Sequence, residues 1–318
     1  MIYRAFLTLV SAFVFTAAGA ADPKDIAATD AATAGPDFAV QGEYVSDKGG
    51  AQVIALGDGK FHIVGWENGL PGTSPEAKKT TEADAERKGD TVSFEKDGWK
   101  GTITADALAV SDPAGGTHKL TKTVRKSPTI GAQPPAGATV LFDGKNADAW
   151  QGGKIDAEGN LQAGTKSRQS FADCTLHVEF RTPFMPTARG QGRGNSGVYL
   201  QDRFEVQVLD SFGLKGENNE CGGIYTIAKP KVNMCFPPLS WQTYDIDFVA
   251  AKFGADGKKT SEATLTVKHN GVLIHDKVEV GKSTAAAGRG EGAEPGPIQL
   301  QHHGNPVVYR NIWIVPRG

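Results

Sequence analysis

Between Arg193 and Asp210 the chain reads RGNSGVYLQDRFEVQVLD. Glu205, Gln207 and Asp210 could there transfer protons or hold a polar ligand, and they stand among Phe204, Val206, Val208 and Leu209. Side chains alternate along a strand, so Glu205 and Gln207 share one face and Val206 and Val208 the other. Asp210 would fall on the apolar side unless a bulge at Val208-Leu209 returns it to the polar one. A polar face on such a strand either meets water or floors a cleft. A tight polar turn at Asp202-Arg203 joins this strand to the one before it, which carries Asn195 and Tyr199.

A second group lies near the C-terminus, in GPIQLQHHGNPVVYRNIWI from Gly296 to Ile314. Gln299 and Gln301 share a strand face and His303 follows on their parity. An imidazole can shuttle protons near neutrality or bind a metal ion. Arg310 could anchor a carboxylate such as Asp143 in a purely structural role. Of the three cysteines, Cys174 keeps parity with Leu176, Val178 and Phe180 and reads as a buried small hydrophobe. Cys221 and Cys235 fall in one long loop, and a disulfide between them is expected if the protein is exported. A catalytic thiol is the alternative, but neither has a neighbouring His. No CxxC or HxxxH spacing suggests structural zinc.

Elements able to position these groups are mostly strands. Residues 1–20 look like a secretory signal: Arg4, an apolar run from Ala5 to Ala18, then Ala18-Gly-Ala20 as a small-residue cleavage site. The expected location is therefore periplasm, cell envelope or medium, with no transmembrane anchor after processing. Residues 21–35 read as a flexible leader. Residues 36–125 read as a small all-β domain, with strands such as Phe38–Tyr44, Val53–Leu56 and Phe61–Val64. Asp58-Gly59 and Asp97-Gly98 are hairpin-type turns. Ser74 to Gly89, charged throughout, reads as a short helix or a solvated loop. Residues 126–138 have a linker's composition. From 139 to 318 the many strands imply a β-sandwich. Long loops at Thr182–Gly194, Ser211–Leu239 and Lys282–Pro297 are uncommon unless functional; the first could close over a polar ligand. The net charge of −2 gives no general attraction to nucleic acid or membrane, and the chain holds no P-loop or dinucleotide fingerprint.

Glu205-x-Gln207-x-x-Asp210 resembles the E-x-D-x-x-E strand of bulged family 16 glycoside hydrolases. Retaining hydrolysis there needs two carboxyls about 5–5.5 Å apart. Here the middle acid is an amide, and the last is shortened to Asp. A broader resemblance rests on Leu141-Phe-Asp-Gly-Lys145 with Trp150, Arg193–Leu200, Phe204–Ser211, Glu220–Tyr225, Trp241–Tyr244, Asn270-Gly271 and the Leu300–Ile314 tail. Together these resemble the 3-keto-disaccharide hydrolase domain family, over roughly Thr139 to Pro316. His302 departs from that pattern, which often has Asp there; His303 keeps it.

The resemblance implies a concanavalin A-like jelly roll and cleavage of glycosides already oxidised at sugar C3. A 3-ketone acidifies the C2 proton, so a base can remove it and expel the C1 substituent; water can then add back. Such a site needs a base, an acid and an electrophile for the enolate. On this reading Glu205 or His303 is the base, with Asp210 or the other of that pair as acid. Arg193, Asn195 and Gln207, with Gln301 beside them, would bind sugar hydroxyls or the enolate, and Tyr199, Tyr225 or Trp241 would stack on the ring. A divalent cation on Glu205 and His303 is one way to supply the electrophile. The expected partner is a glycoside or oligosaccharide. A non-catalytic lectin-like module and a family 16-like glucanase remain open alternatives.

Overall fold

The computed structural model describes residues 27–317. The expected signal segment and residues 21–26 of the leader lie outside the described residues. The rest of the leader is held down rather than free. Ala28 and Phe184 exchange backbone hydrogen bonds of 3.0 and 2.9 Å, and Ala28 is buried.

Eight antiparallel strands, from Gly42–Val45 to Thr117–Thr123, close into a barrel, because the first pairs with the last at Glu43↔Thr123. Tyr44, Val53, Phe61, Val92, Ile103 and Leu108 fill its interior. Two expectations need correction. The strand expected at Phe38–Tyr44 is divided: Pro36–Val40 forms a short helix and the strand begins at Gly42. Pro36 stands in the helix's first turn, where its fixed φ suits the helix and its missing N–H costs nothing. The charged segment Ser74–Gly89 contains a strand, Lys78–Lys88, whose Ala83 and Ala85 are buried while most of the others face out. Its neighbour Lys60–Glu67 pairs along nearly its whole length, and barrel closure overrides the polar composition.

The C-terminal half is two antiparallel sheets over one core. A five-stranded sheet has the order Trp150–Gln151, Thr165–Phe171, Gly296–Leu300, Ser196–Leu200, Phe204–Val208. In the other sheet, the long strands Val308–Arg317, Asp173–Arg181, Gln242–Val249, Ala263–His269 and Val272–Val280 lie side by side. Val198, Val206 and Leu300 from the first sheet meet Leu176, Phe180, Tyr244 and Ile314 from the second. Trp150 is buried as its sequence setting suggests, its indole N–H donating to Leu141 O at 2.8 Å.

The linker is also docked. Gly131 N–H donates to Glu179 Oε1 at 2.6 Å, Thr129 Oγ1 to Asp245 Oδ2 at 2.7 Å, and the Asn311 amide and Trp313 indole both donate to Ala132 O at 3.1 Å. Its landing place is the face of the larger sheet turned away from the core. Barrel and sandwich also touch directly: Ile54 and Val64 of the barrel form one buried cluster with Phe212.

Candidate active site

Alternation along Phe204–Val208 sends Phe204, Val206 and Val208 into the core and Glu205 and Gln207 to the other face of the smaller sheet, as expected. Tyr199 stands directly opposite Glu205 on the neighbouring strand, and Gln299 stands opposite Tyr199 on the next. One row therefore crosses three strands: Gln299, Tyr199, Glu205. Gly197 stands opposite Gln207, and a methyl group on it would run into Glu205 Oε1. Glycine is required there to seat the carboxyl.

This face is covered rather than open. The turn Gln201-Asp202 is left-handed, with φ of 57° and 58°. Arg203 after it is buried and clamps the 282–295 loop, donating to Gly290 O at 2.7 Å and Glu294 O at 2.8 Å. The same loop brings Thr284 to the backbone N–H of Glu205 at 3.1 Å. The edge of the Glu205 strand is covered by Gly222–Tyr225, whose Tyr225 N–H donates to Glu205 O.

Glu205 is 1% exposed. Burial pushes its carboxyl pKa up to about 8, against a smaller lowering by the Tyr199 hydroxyl, which donates to Oε2 at 2.8 Å. Gln301 in turn donates to the Tyr199 oxygen at 3.0 Å. No cation pairs with Glu205 among the described residues, so it is a neutral acid at pH 7, able to give up a proton.

Beside it lie three amides. Gln207 Nε2 donates to Gln191 Oε1 at 2.9 Å, and Asn195 Nδ2 to Gln191 O at 2.7 Å and to Gln191 Oε1 at 3.2 Å. Asn195 N–H is held by Asn305 Oδ1 at 2.7 Å. Asn195 Oδ1, Gln207 Oε1, Gln299 Oε1 and Gln301 Oε1 are buried with no protein partner. A buried acceptor with no donor is costly, and the protein itself supplies no donor to these four oxygens.

Other expected site residues are placed differently. The strand ends at Val208; Val208 and Leu209 both enter the core, and Asp210 turns to Arg193. Arg193 Nε donates to Asp210 Oδ2 at 2.7 Å in a buried ion pair, and Arg193 Nη1 reaches Ala55 O in the barrel at 3.3 Å. Asp210 is thus committed to a structural bond rather than free as an acid, and Arg193 ties the barrel to the sandwich. Trp241 lies on the far face of the larger sheet, between the guanidinium groups of Arg181 and Arg310, 5.1 and 4.0 Å from its ring. It cannot stack on a ligand at Glu205. Arg310 pairs with Glu179 at 2.7 Å rather than with Asp143, which pairs with Lys145. Tyr199 contributes its hydroxyl to Glu205 rather than its ring to a sugar. Tyr225 is half-buried on the loop at the edge of the Glu205 strand, and His303 is exposed in the loop beyond the Gln299 strand.

The expected disulfide is absent. Cys221 and Cys235 are free, fully buried thiols, as is Cys174. Cys221 Sγ lies 3.2 Å from the Tyr244 hydroxyl, and Cys235 donates to Leu209 O at 3.5 Å. The two thiols are also hydrogen-bonded to each other and remain unbridged. Among the described residues no three His, Cys, Asp or Glu side chains gather to hold a metal.

Sequence reading did not find Gln191 or Gly197. Gln191 is one amide in a Gly-rich loop and gives no local signal; Gly197 is conspicuous only once Glu205 is known to lie against it.

Part of this all-β chain is similar to solved proteins. A protein of Parabacteroides distasonis ATCC 8503, described as a candidate glycosyl hydrolase, is 34% identical, with a TM-score of 0.53, covering 57% of this chain and 85% of its own. A second protein from that organism, described in the same words, is 16% identical with a TM-score of 0.41, covering 57% of this chain and 94% of its own. Residues 137–315 match the 3-keto-alpha-glucoside-1,2-lyase-like domain, and the chain belongs to that family. No curated protein matches it. No helix among the described residues is long and apolar enough to cross a membrane.

Proposed function

We propose that this protein is an exported carbohydrate-active enzyme that cleaves 3-keto-glycosides, with Glu205 as the acid and His303 as the base. The observation that carries this reading is the Glu205 carboxyl. It is buried, unpaired with any cation, held by one hydroxyl and flanked by acceptors that lack donors. The two-sheet body that presents it fits a concanavalin A-like jelly roll. Residues 1–20 support export to the periplasm, envelope or medium.

In the reaction, His303 takes the proton from C2, which the adjacent ketone has acidified. The C–H electron pair becomes the enolate and then the C1–C2 double bond. The C1–O bond breaks, and its electron pair leaves on the aglycone oxygen, which takes the proton of Glu205. The products are a 2-hydroxy-3-keto-glycal and an alcohol; water adding across the new double bond makes the net change a hydrolysis. An acid with a pKa near 8 is well matched to protonating a leaving alkoxide at neutral pH. Ordinary retaining hydrolysis is disfavoured, because it requires a second free carboxyl and Asp210 is bound to Arg193.

The test is product analysis on a chromogenic glucoside and its 3-keto derivative. Release from the ketone alone, with the glycal seen in transit, is expected. Release from the plain glucoside would overturn the keto-dependent reading. Sugar binding with turnover of neither would leave a lectin.

A further inference from the structure

Gln191 fixes the direction of two neighbouring amides, and backbone carbonyls, which can only accept, set the directions of Gln191 and Asn195 themselves. Gln191 Nε2 donates to Asn219 O at 2.8 Å, so Gln191 must present Oε1 on its other side. Asn195 Nδ2 donates to Gln191 O at 2.7 Å, so Asn195 is also fixed. Gln191 Oε1 can then only receive, and it receives both Asn195 Nδ2 at 3.2 Å and Gln207 Nε2 at 2.9 Å. None of the three amides can be turned over without setting like against like.

Both nitrogens converge on one oxygen, so both amide oxygens are turned away from it. Asn195 and Gln207 are each 1% exposed, and Asn195 Oδ1 and Gln207 Oε1 have no partner in the protein. On a sugar, the groups that can complete them are hydroxyl donors. A ketone or enolate oxygen brings none.

We propose that Gln191 is a positioning residue that makes Asn195 Oδ1 and Gln207 Oε1 a paired acceptor, and that this pair takes two hydroxyl groups of one sugar ring, not its oxidised carbon. This rests on the reading of the site as carbohydrate-binding. It gives Gln191 a share in substrate selection and removes Asn195 and Gln207 as enolate binders.

The test uses the full chain and methyl α-D-glucopyranoside, an unoxidised ring, with its singly deoxyfluorinated analogues at C2, C4 and C6. Fluorine keeps the hydroxyl's size but donates nothing. Calorimetric titration should show binding of the parent, and weakening of about tenfold or more for the analogues at the clamped positions, because a buried acceptor is then left unmatched. In Gln191→Ala the amides can turn, and the parent-to-analogue ratio should fall to about threefold or less. Gln191→Met, which keeps the volume, repeats the comparison if the alanine variant is unstable. Equal affinities for parent and all analogues, no binding of the parent at millimolar concentration, or an unchanged ratio in both variants would each overturn the proposal. Release from a 3-keto-glucoside is assayed separately. Turnover without fluorine discrimination sinks the clamp alone, and discrimination without turnover sinks the lyase reading alone.

Discussion

The Tyr199 hydroxyl donates to Glu205 Oε2 at 2.8 Å across a directly opposed pair of residues on adjacent strands. The bond favours the carboxylate while burial favours the acid, and burial prevails. Tyr199→Phe removes the opposing influence and frees the carboxyl to rotate. Turnover at pH 7 should fall by about tenfold. The alkaline limb of the pH–rate profile, which reports loss of the Glu205 proton, should move to higher pH. An unmoved limb would mean that another group sets it.

Replacing the carboxyl itself separates chemistry from stability. Glu205→Gln cannot donate an acidic proton, so release from a 3-keto-glycoside should drop by about a hundredfold or more. Stability should respond in the opposite direction. The folded pKa lies above the ordinary carboxylate value, so between roughly pH 4.5 and 8 the folded state binds more protons than the unfolded one, and stability declines as pH rises through that window. The amide has no such slope. Denaturant unfolding at pH 6 and pH 9 should therefore show a smaller loss for the variant, and parallel losses would contradict a raised Glu205 pKa.

Arg193 and Asp210 should behave as a structural pair. Removing one partner leaves a buried charge unmatched, and Asp210→Asn or Arg193→Met should each cost about 3–5 kcal/mol. The double variant should cost less than the two single costs together. Turnover per folded molecule in Asp210→Asn should stay within a few-fold of the parent. A hundredfold loss in a folded variant would restore Asp210 as a catalytic acid.

Local alternation made Glu205 and Gln207 legible, because which residues share a strand face is set within a few residues. Asp210 was visible but its role was not: its partner Arg193 lies across the hairpin, and the contact to Ala55 comes from another domain. Trp241, just before the strand Gln242–Val249, shares parity with Thr243 and Asp245, but nothing local says that this face lies behind the core from Glu205. Barrel closure was hidden by Lys78–Lys88, where only Ala83 and Ala85 betray an inward side. The disulfide expectation rested on compartment and loop spacing, and neither reports whether two neighbouring thiols are bridged.

Those thiols give a direct chemical check. Cys174, Cys221 and Cys235 are at most 1% exposed, and burial raises the Cys235 pKa well above its ordinary value and that of Cys174 to about 12. Thiols buried this deeply are out of a reagent's reach. A chromogenic disulfide reagent should therefore react with none of the three in the folded protein, and with all three cysteines of the sequence once denaturant is added without reductant. A yield of one thiol would reinstate the Cys221–Cys235 bridge.

The docked linker carries a pH dependence from two sides. Burial pushes the Glu179 pKa up, but hydrogen bonds from His177, Asn311, Gly131 N–H and Arg310 outweigh it and bring it down to about 2. Burial likewise pulls His177 down, and its bonds to Asp245 and Glu179 reverse the net shift to a rise. The Glu179 contribution is present above the ordinary carboxylate range and is lost as pH falls towards 2. The His177 contribution is complete below the ordinary imidazole value and is lost as pH rises through the raised one. Asp245, Arg310 and the Trp313 ring, stacked on the imidazole at 5.0 Å, are the groups that face this pair. Both contributions are therefore in place together from about pH 5 to 6, and the linker should be most protected there. Hydrogen exchange at Gly131 N–H, corrected for the intrinsic effect of pH, should show maximal protection in that window. In Glu179→Gln the acid-side loss should disappear. Protection that rises steadily to pH 9 in the parent would show that His177 contributes nothing.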